Sequence, residues 1–155
     1  MSVIVSGTAA PAFRLVREDG DSFTERDLLG KTTVLVFYPA AFSPVCTDQL
    51  TLYERVIDEL TANGEELYGV SCDSAFAQRA FREKLGVSIP QLSDFEPKGA
   101  TCAAFGVLNE AGFAQRALVI VGPDGVVRWS YQAPSPGELP GVELLREGIA
   151  SAILA

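Results

Sequence analysis

The chain has 155 residues, enough for one domain with its own core, and its three cysteines are an odd number that cannot complete an internal disulfide framework. A net charge of −8 with no block of Lys and Arg argues against a nucleic-acid partner, and the absence of histidine excludes every Cys-His or Ser-His catalytic pair and every histidine metal site. No close-spaced cysteine pair suggests a zinc site, no apolar run reaches the roughly 20 residues of a bilayer span, and MSVIVSGTAAP lacks the basic start and long apolar stretch of a secretory signal. The expectation is a soluble cytoplasmic protein, one domain over residues 1–155, with no metal, cofactor or membrane partner.

The opening stretch predicts a short hairpin around Glu18-Asp19-Gly20 and a helical turn from Thr24 to Leu29. An apolar, β-branched run then predicts a core strand over Thr32 to Tyr38, followed by a helix from about Cys46 to Thr61 with Leu50, Tyr53, Ile57 and Leu60 at helical spacing. Strand Leu67 to Cys72 leads to a helix from about Ser74 to Leu85, and an extended piece follows at Pro90 to Leu92. After the turn LSDFEPKG, where Asp94 and Glu96 read as solvated carboxylates, a short helix spans about Pro97 to Phe105. Strand Ala117 to Val121 turns through Gly122-Pro123-Asp124-Gly125 into strand Val126 to Tyr131, an antiparallel hairpin. Trp129 and Tyr131 mark its apolar face, and Gln132 to Gly141, with Pro134, Pro136 and Pro140, reads as a surface loop. The last helix, about Gly141 to Leu154, carries Leu144, Leu145, Ile149 and Ile153 on the side that covers the sheet. Strands alternating with helices predict a layered α/β domain with a mostly parallel sheet.

One residue stands out for chemistry. Cys46 follows a buried strand and opens a helix, where unpaired N–H groups and the positive end of the helix dipole favour an anion and lower a thiol's pKa below about 8.5. Before it stands Pro39-Ala40-Ala41-Phe42-Ser43-Pro44-Val45-Cys46, and Arg116 leads into the buried run ALVIV. A Pro, three residues, Ser or Thr, two residues, Cys, with a later arginine entering a strand, resembles the peroxiredoxin family, and FYPAAF, LSDFEPKGA and AFGVLNEAG look most like its one-cysteine alkyl hydroperoxide reductase E type. The likeness runs over essentially the whole chain. It implies a thioredoxin-like α/β fold with a central mixed sheet flanked by helices and an added N-terminal hairpin. It also implies a thiol peroxidase acting on hydrogen peroxide, organic hydroperoxides and peroxynitrite without a cofactor, and a homodimer or larger ring.

The chemistry asks for a sulfur held as thiolate and a leaving oxygen stabilised as charge develops on it. Arg116 can serve both, since its guanidinium is always charged and presents a fixed fork of donors. Ser43 can hydrogen-bond the peroxide or merely cap the helix. The backbone N–H of Val45, with that of Cys46, points to the same place, and Pro39 closes the pocket and shields the sulfenic acid. The resemblance adds Gln49 as a residue that orients the arginine. Phe42 can line the substrate mouth or pack a subunit contact.

Cys72 and Cys102 decide the subclass, because a two-cysteine enzyme resolves its sulfenic acid with a second thiol whereas a one-cysteine enzyme needs an outside one. Neither stands where familiar relatives carry a resolving thiol; one such position, one and a half turns after the first cysteine, is Thr51 here. The expected reductant is therefore an external thiol: a thioredoxin, a glutaredoxin-like protein or a small thiol; an atypical two-cysteine enzyme in which Cys72 or Cys102 resolves Cys46 is the alternative. A redox sensor that uses Cys46 oxidation as a signal is the competing class. Disulfide oxidoreduction is disfavoured, since Ser43 stands where a Cys-x-x-Cys would need sulfur.

Overall fold

The computed structural model describes residues 2–154. In chain order they form β1 (Arg14–Arg17), β2 (Ser22–Thr24), a 3-10 turn (Glu25–Leu28), β3 (Thr33–Phe37), α1 (Pro44–Glu54), α2 (Ile57–Leu60), β4 (Glu66–Ser71), α3 (Ala75–Leu85), β5 (Gln91–Ser93), α4 (Ala100–Ala104), β6 (Ala117–Val121), β7 (Val127–Gln132) and α5 (Val142–Leu154). The seven strands make one sheet in the order β2-β1-β5-β4-β3-β6-β7. Only the β3–β4 and β4–β5 pairings run parallel, so the sheet is mixed rather than mostly parallel. The reason is local: helical crossovers through α1–α2 and α3 force those two pairs parallel, while a hairpin joins the strands at each end antiparallel.

Strand alternation divides the core. From β3, Leu35 and Phe37 face a cluster with Leu15, Phe23, Val70, Cys102 and Phe105; Val34 and Val36, with Tyr38 beyond the strand, face Cys46, Leu50, Tyr53, Phe81 and Leu145. With both faces covered, β3 and β6 are buried at every position, which is why they read as unbroken apolar runs. Each fully buried Leu, Val or Phe contributes roughly 1.5–3 kcal/mol.

Two helices differ from expectation. Helix α1 begins at Pro44, two residues early, because Ser43 takes the N-cap with extended backbone (φ −71°, ψ 150°) and Pro44 suits the first helical position. It also ends at Glu54, and Ile57–Leu60 is a separate turn; Arg55-Val56 carries no Gly or Pro to announce the break. In α5 the buried stripe is Leu145, Gly148, Ile149 and Ala152, while Ile153 is 48% exposed. Gly148 shifts that stripe, since a Cβ there would come within 2.6 Å of the Trp129 ring, so the helix packs its backbone on β7. Among the described residues no helix is long and apolar enough to cross a membrane.

Candidate active site

After β3, Tyr38 continues the ladder by donating its N–H to Val70 O at 2.9 Å, and Pro39 turns the chain out of the sheet. The loop to α1 is anchored from the neighbouring strand: Ala41 N–H donates to Asp73 Oδ2 at 2.8 Å, and Ser71 Oγ donates to the same oxygen at 2.7 Å. Phe42 has φ 68°, a left-handed conformation costing a non-glycine residue roughly 1–2 kcal/mol, and its half-exposed ring lies 5.2 Å from that of Phe81. That backbone turn aims Ser43 at the start of α1.

Cys46 is the third residue of α1 and is fully buried. Its own N–H donates to Ser43 Oγ at 3.4 Å, so the serine caps the helix and that N–H is engaged. The Val45 N–H, one residue earlier, has no acceptor among the described residues. Within the first turn the helix dipole still favours negative charge on the sulfur.

Arg116, the residue before β6, is 2% exposed and every arm of its fork is occupied. Nη2 donates to Cys46 Sγ at 3.2 Å, Nη1 to Gln49 Oε1 at 2.6 Å, and Nε to Pro136 O at 2.7 Å. Gln49 Nε2 donates to Tyr53 Oη at 3.3 Å, and Tyr53 Oη donates to Pro140 O at 2.7 Å. Burial pushes the Tyr53 phenol up to about 12, which keeps it a donor. The buried guanidinium thus faces one sulfur and two neutral oxygens, with no competing carboxylate among these contacts.

The structure therefore brings together Cys46, Arg116, Gln49 and Ser43, with Val45 and Phe42 on the same turn and loop. Two contributors escaped the sequence reading. Tyr53 passed for a core aromatic, and the loop after β7, read only as a surface loop, clamps Arg116 and Tyr53 through two proline carbonyls. Backbone carbonyls leave no mark in composition, although three prolines within ten residues do signal a stiff loop.

Cys72 and Cys102 lie elsewhere. Both belong to the apolar cluster on the opposite face of the sheet from Cys46. They meet each other instead, with Sγ to Sγ at 3.9 Å, and with Asp94 they form a buried group of donor atoms within 4.8 Å of one another. The 30-residue separation hid this pair, which is why no close-spaced cysteines were visible in the chain. Asp94 is also not solvated as expected: it is buried and accepts the N–H groups of Thr101 at 3.0 Å and Cys102 at 2.7 Å, capping α4.

With no histidine to serve it, Cys46 relies on a helix start and an arginine fork, the equipment of a thiol peroxidase on a thioredoxin-like sheet. The chain belongs to the AhpC/TSA family, whose model matches residues 6–130. It is 38% identical over 135 residues to the alkyl hydroperoxide reductase C of Amphibacillus xylanus, covering 83% of this chain and 71% of that one. It is 31% identical over 147 residues to the alkyl hydroperoxide reductase E of Mycobacterium tuberculosis, covering 94% and 95%. The crystal structure of Enterococcus faecalis AhpC superposes with a TM-score of 0.87 at 29% identity, covering 99% of this chain and 94% of that one. The protein is thus a peroxiredoxin, an oxidoreductase of the thiol peroxidase class with a thioredoxin-like fold.

Proposed function

We propose that the protein is a one-cysteine peroxiredoxin, a single domain in which Cys46 alone reduces hydrogen peroxide, organic hydroperoxides and peroxynitrite and an external thiol restores it. The observation that carries the reading is the 3.2 Å contact between Arg116 Nη2 and a buried Cys46 sulfur. The thiolate attacks one peroxide oxygen in line; the S–O bond forms as O–O breaks, leaving a sulfenic acid and an alkoxide or hydroxide that takes up a proton. Arg116 meets the charge as it moves from sulfur to the leaving oxygen, the Val45 N–H offers a second donor, and the Ser43 hydroxyl keeps its proton free for the peroxide. Gln49 holds the arginine in register, Pro39 shields the sulfenic acid, and Phe42 lines the mouth of the site.

An outside thiol then attacks the sulfenic sulfur, releasing water and leaving a mixed disulfide, and a second thiol frees Cys46 as the reductant becomes a disulfide. The placement of Cys72 and Cys102 behind the sheet favours this route over internal resolution. A thioredoxin, a glutaredoxin-like protein or a small thiol in the cytoplasm fits the role, and the enzyme works as a homodimer or larger ring. The test is Cys46→Ser, nearly isosteric, which should fold normally and consume no peroxide with added thiol. Turnover surviving in that variant would overturn the assignment. After one equivalent of peroxide the wild-type chain should gain one oxygen at Cys46.

A further inference from the structure

Cys72, just past the end of β4, and Cys102, in α4, are the two buried nucleophiles that the peroxidase site does not use. We propose that they form a second redox site, a dithiol that a peroxide oxidises to an intramolecular disulfide independently of Cys46. Their sulfurs stand 3.9 Å apart. A disulfide holds its sulfurs at about 2.05 Å, so the pair must close by about 2 Å, within reach of side-chain rotation at two cysteines.

The pair is polarised. The two sulfurs share one S–H···S contact, in which either thiol can donate; that contact lowers the Cys72 thiol and, with burial, raises that of Cys102. Lys98 also favours charge on Cys72, while Asp94 and Asp73 oppose it. Cys72 is the one with access, 6% exposed, whereas Cys102 is fully enclosed. Nucleophile and resolving thiol are thereby assigned by position: Cys72 attacks and Cys102 follows. A metal ion suits the site less well. Asp94 completes a three-member donor set, but its two oxygens already accept the N–H groups of Thr101 and Cys102, which leaves two sulfurs where a closed zinc site uses four ligands.

The chemistry balances with peroxide as the oxidant. The Cys72 thiolate displaces one oxygen of the O–O bond, giving a sulfenic acid and an alcohol or water. The Cys102 sulfur then attacks that of Cys72, the S–S bond forms, and the hydroxyl leaves as water with the Cys102 proton. Two thiols are oxidised by two electrons, and one peroxide is reduced. The site is also close to the peroxidase loop in the chain: Cys72 sits between Ser71 and Asp73, and the Asp73 carboxylate holds Ala41 N–H and Ser71 Oγ.

The experiment uses the full-length Cys46→Ser chain, so that it is independent of the peroxidase assignment. The folded protein is treated with excess hydrogen peroxide, the peroxide is removed, and the chain is denatured, alkylated and weighed. The expected product has lost two hydrogens, takes up no alkylating agent, and yields a peptide pair joining Cys72 to Cys102 that a reductant separates. In the Cys46→Ser, Cys102→Ser double variant the mass should instead rise by one oxygen on Cys72. The same linked peptides in oxidised wild-type protein guard against misfolding of the variants. Full alkylation of both cysteines after peroxide, or one zinc ion retained per chain with both thiols protected by it, would overturn the proposal.

Discussion

Gln49 Oε1 and Arg116 Nη1 share a 2.6 Å hydrogen bond that leaves the adjacent Nη2 aimed at the Cys46 sulfur. Both partners are buried, so the bond fixes a charged fork where water cannot compete. Gln49→Ala should slow Cys46 oxidation about tenfold and lower stability by about 1.5–3 kcal/mol, the range for a hydrogen bond to a charged group. Stopped-flow peroxide oxidation beside denaturant unfolding measures the two effects. A wild-type oxidation rate in the variant would make Gln49 a core residue only.

Arg116→Lys keeps the charge and removes the fork. A lysine cannot reach Cys46, Gln49 and Pro136 at once, whereas the guanidinium donates to all three. The second-order rate with peroxide should fall by about 10²-fold, the size of effect seen when one donor to a developing oxyanion is lost. An unchanged rate would take Arg116 out of the chemistry.

Alkaline pH should loosen the fold at the same site. Burial holds the Tyr53 phenol at about 12 and raises that of Tyr38 by the same cause. In the unfolded chain each ionises near about 10, so above that pH the unfolded state binds fewer protons than the native state and stability falls. The Tyr53 contribution is whole below about pH 10 and is lost as pH rises toward about 12. Tyr53→Phe should show a shallower decline, at a cost of about 1 kcal/mol near neutral pH for the bond to Pro140. Unfolding free energies measured across that range give the slopes, and identical slopes would clear Tyr53 of the effect.

How much of this was legible in the chain varies with the kind of interaction. Cys46 and Ser43 stand out because strand end and helix cap follow local patterning rules, and the β6–β7 hairpin because its turn needs Pro and Gly; Arg116 came from the family resemblance, since a lone arginine before a strand carries no local signal of its own. The start of α1 was readable too: Ser43-Pro44 is a cap followed by a first-turn proline, and helical periodicity alone placed it two residues late. What stayed hidden depends on the third dimension. The parallel count of the sheet is set by which strands the hairpins place outermost, the meeting of Cys72 with Cys102 by the end of the central strand β4 and a short helix, and the clamp on Arg116 by carbonyls that every residue carries. Asp94 looked solvated because a carboxylate at a turn usually is, until α4 folds over it.

Ser43 caps α1 through the Cys46 N–H and retains a hydroxyl proton for the substrate, so its two roles should separate by substitution. Ser43→Ala removes both. It should cost about 1 kcal/mol of stability through the lost cap. It should also slow oxidation of Cys46 by a few tens-fold, in line with the roughly 1.5–3 kcal/mol of a hydrogen bond to a charged group. Ser43→Thr keeps the oxygen and its proton at a half-buried position, and should be close to wild type in both respects. Thermal unfolding and stopped-flow oxidation of the two variants read the roles independently. Should Ser43→Ala lose stability yet react at the wild-type rate, the hydroxyl would be a cap alone, and peroxide activation would fall to Arg116 and the unpartnered N–H of Val45.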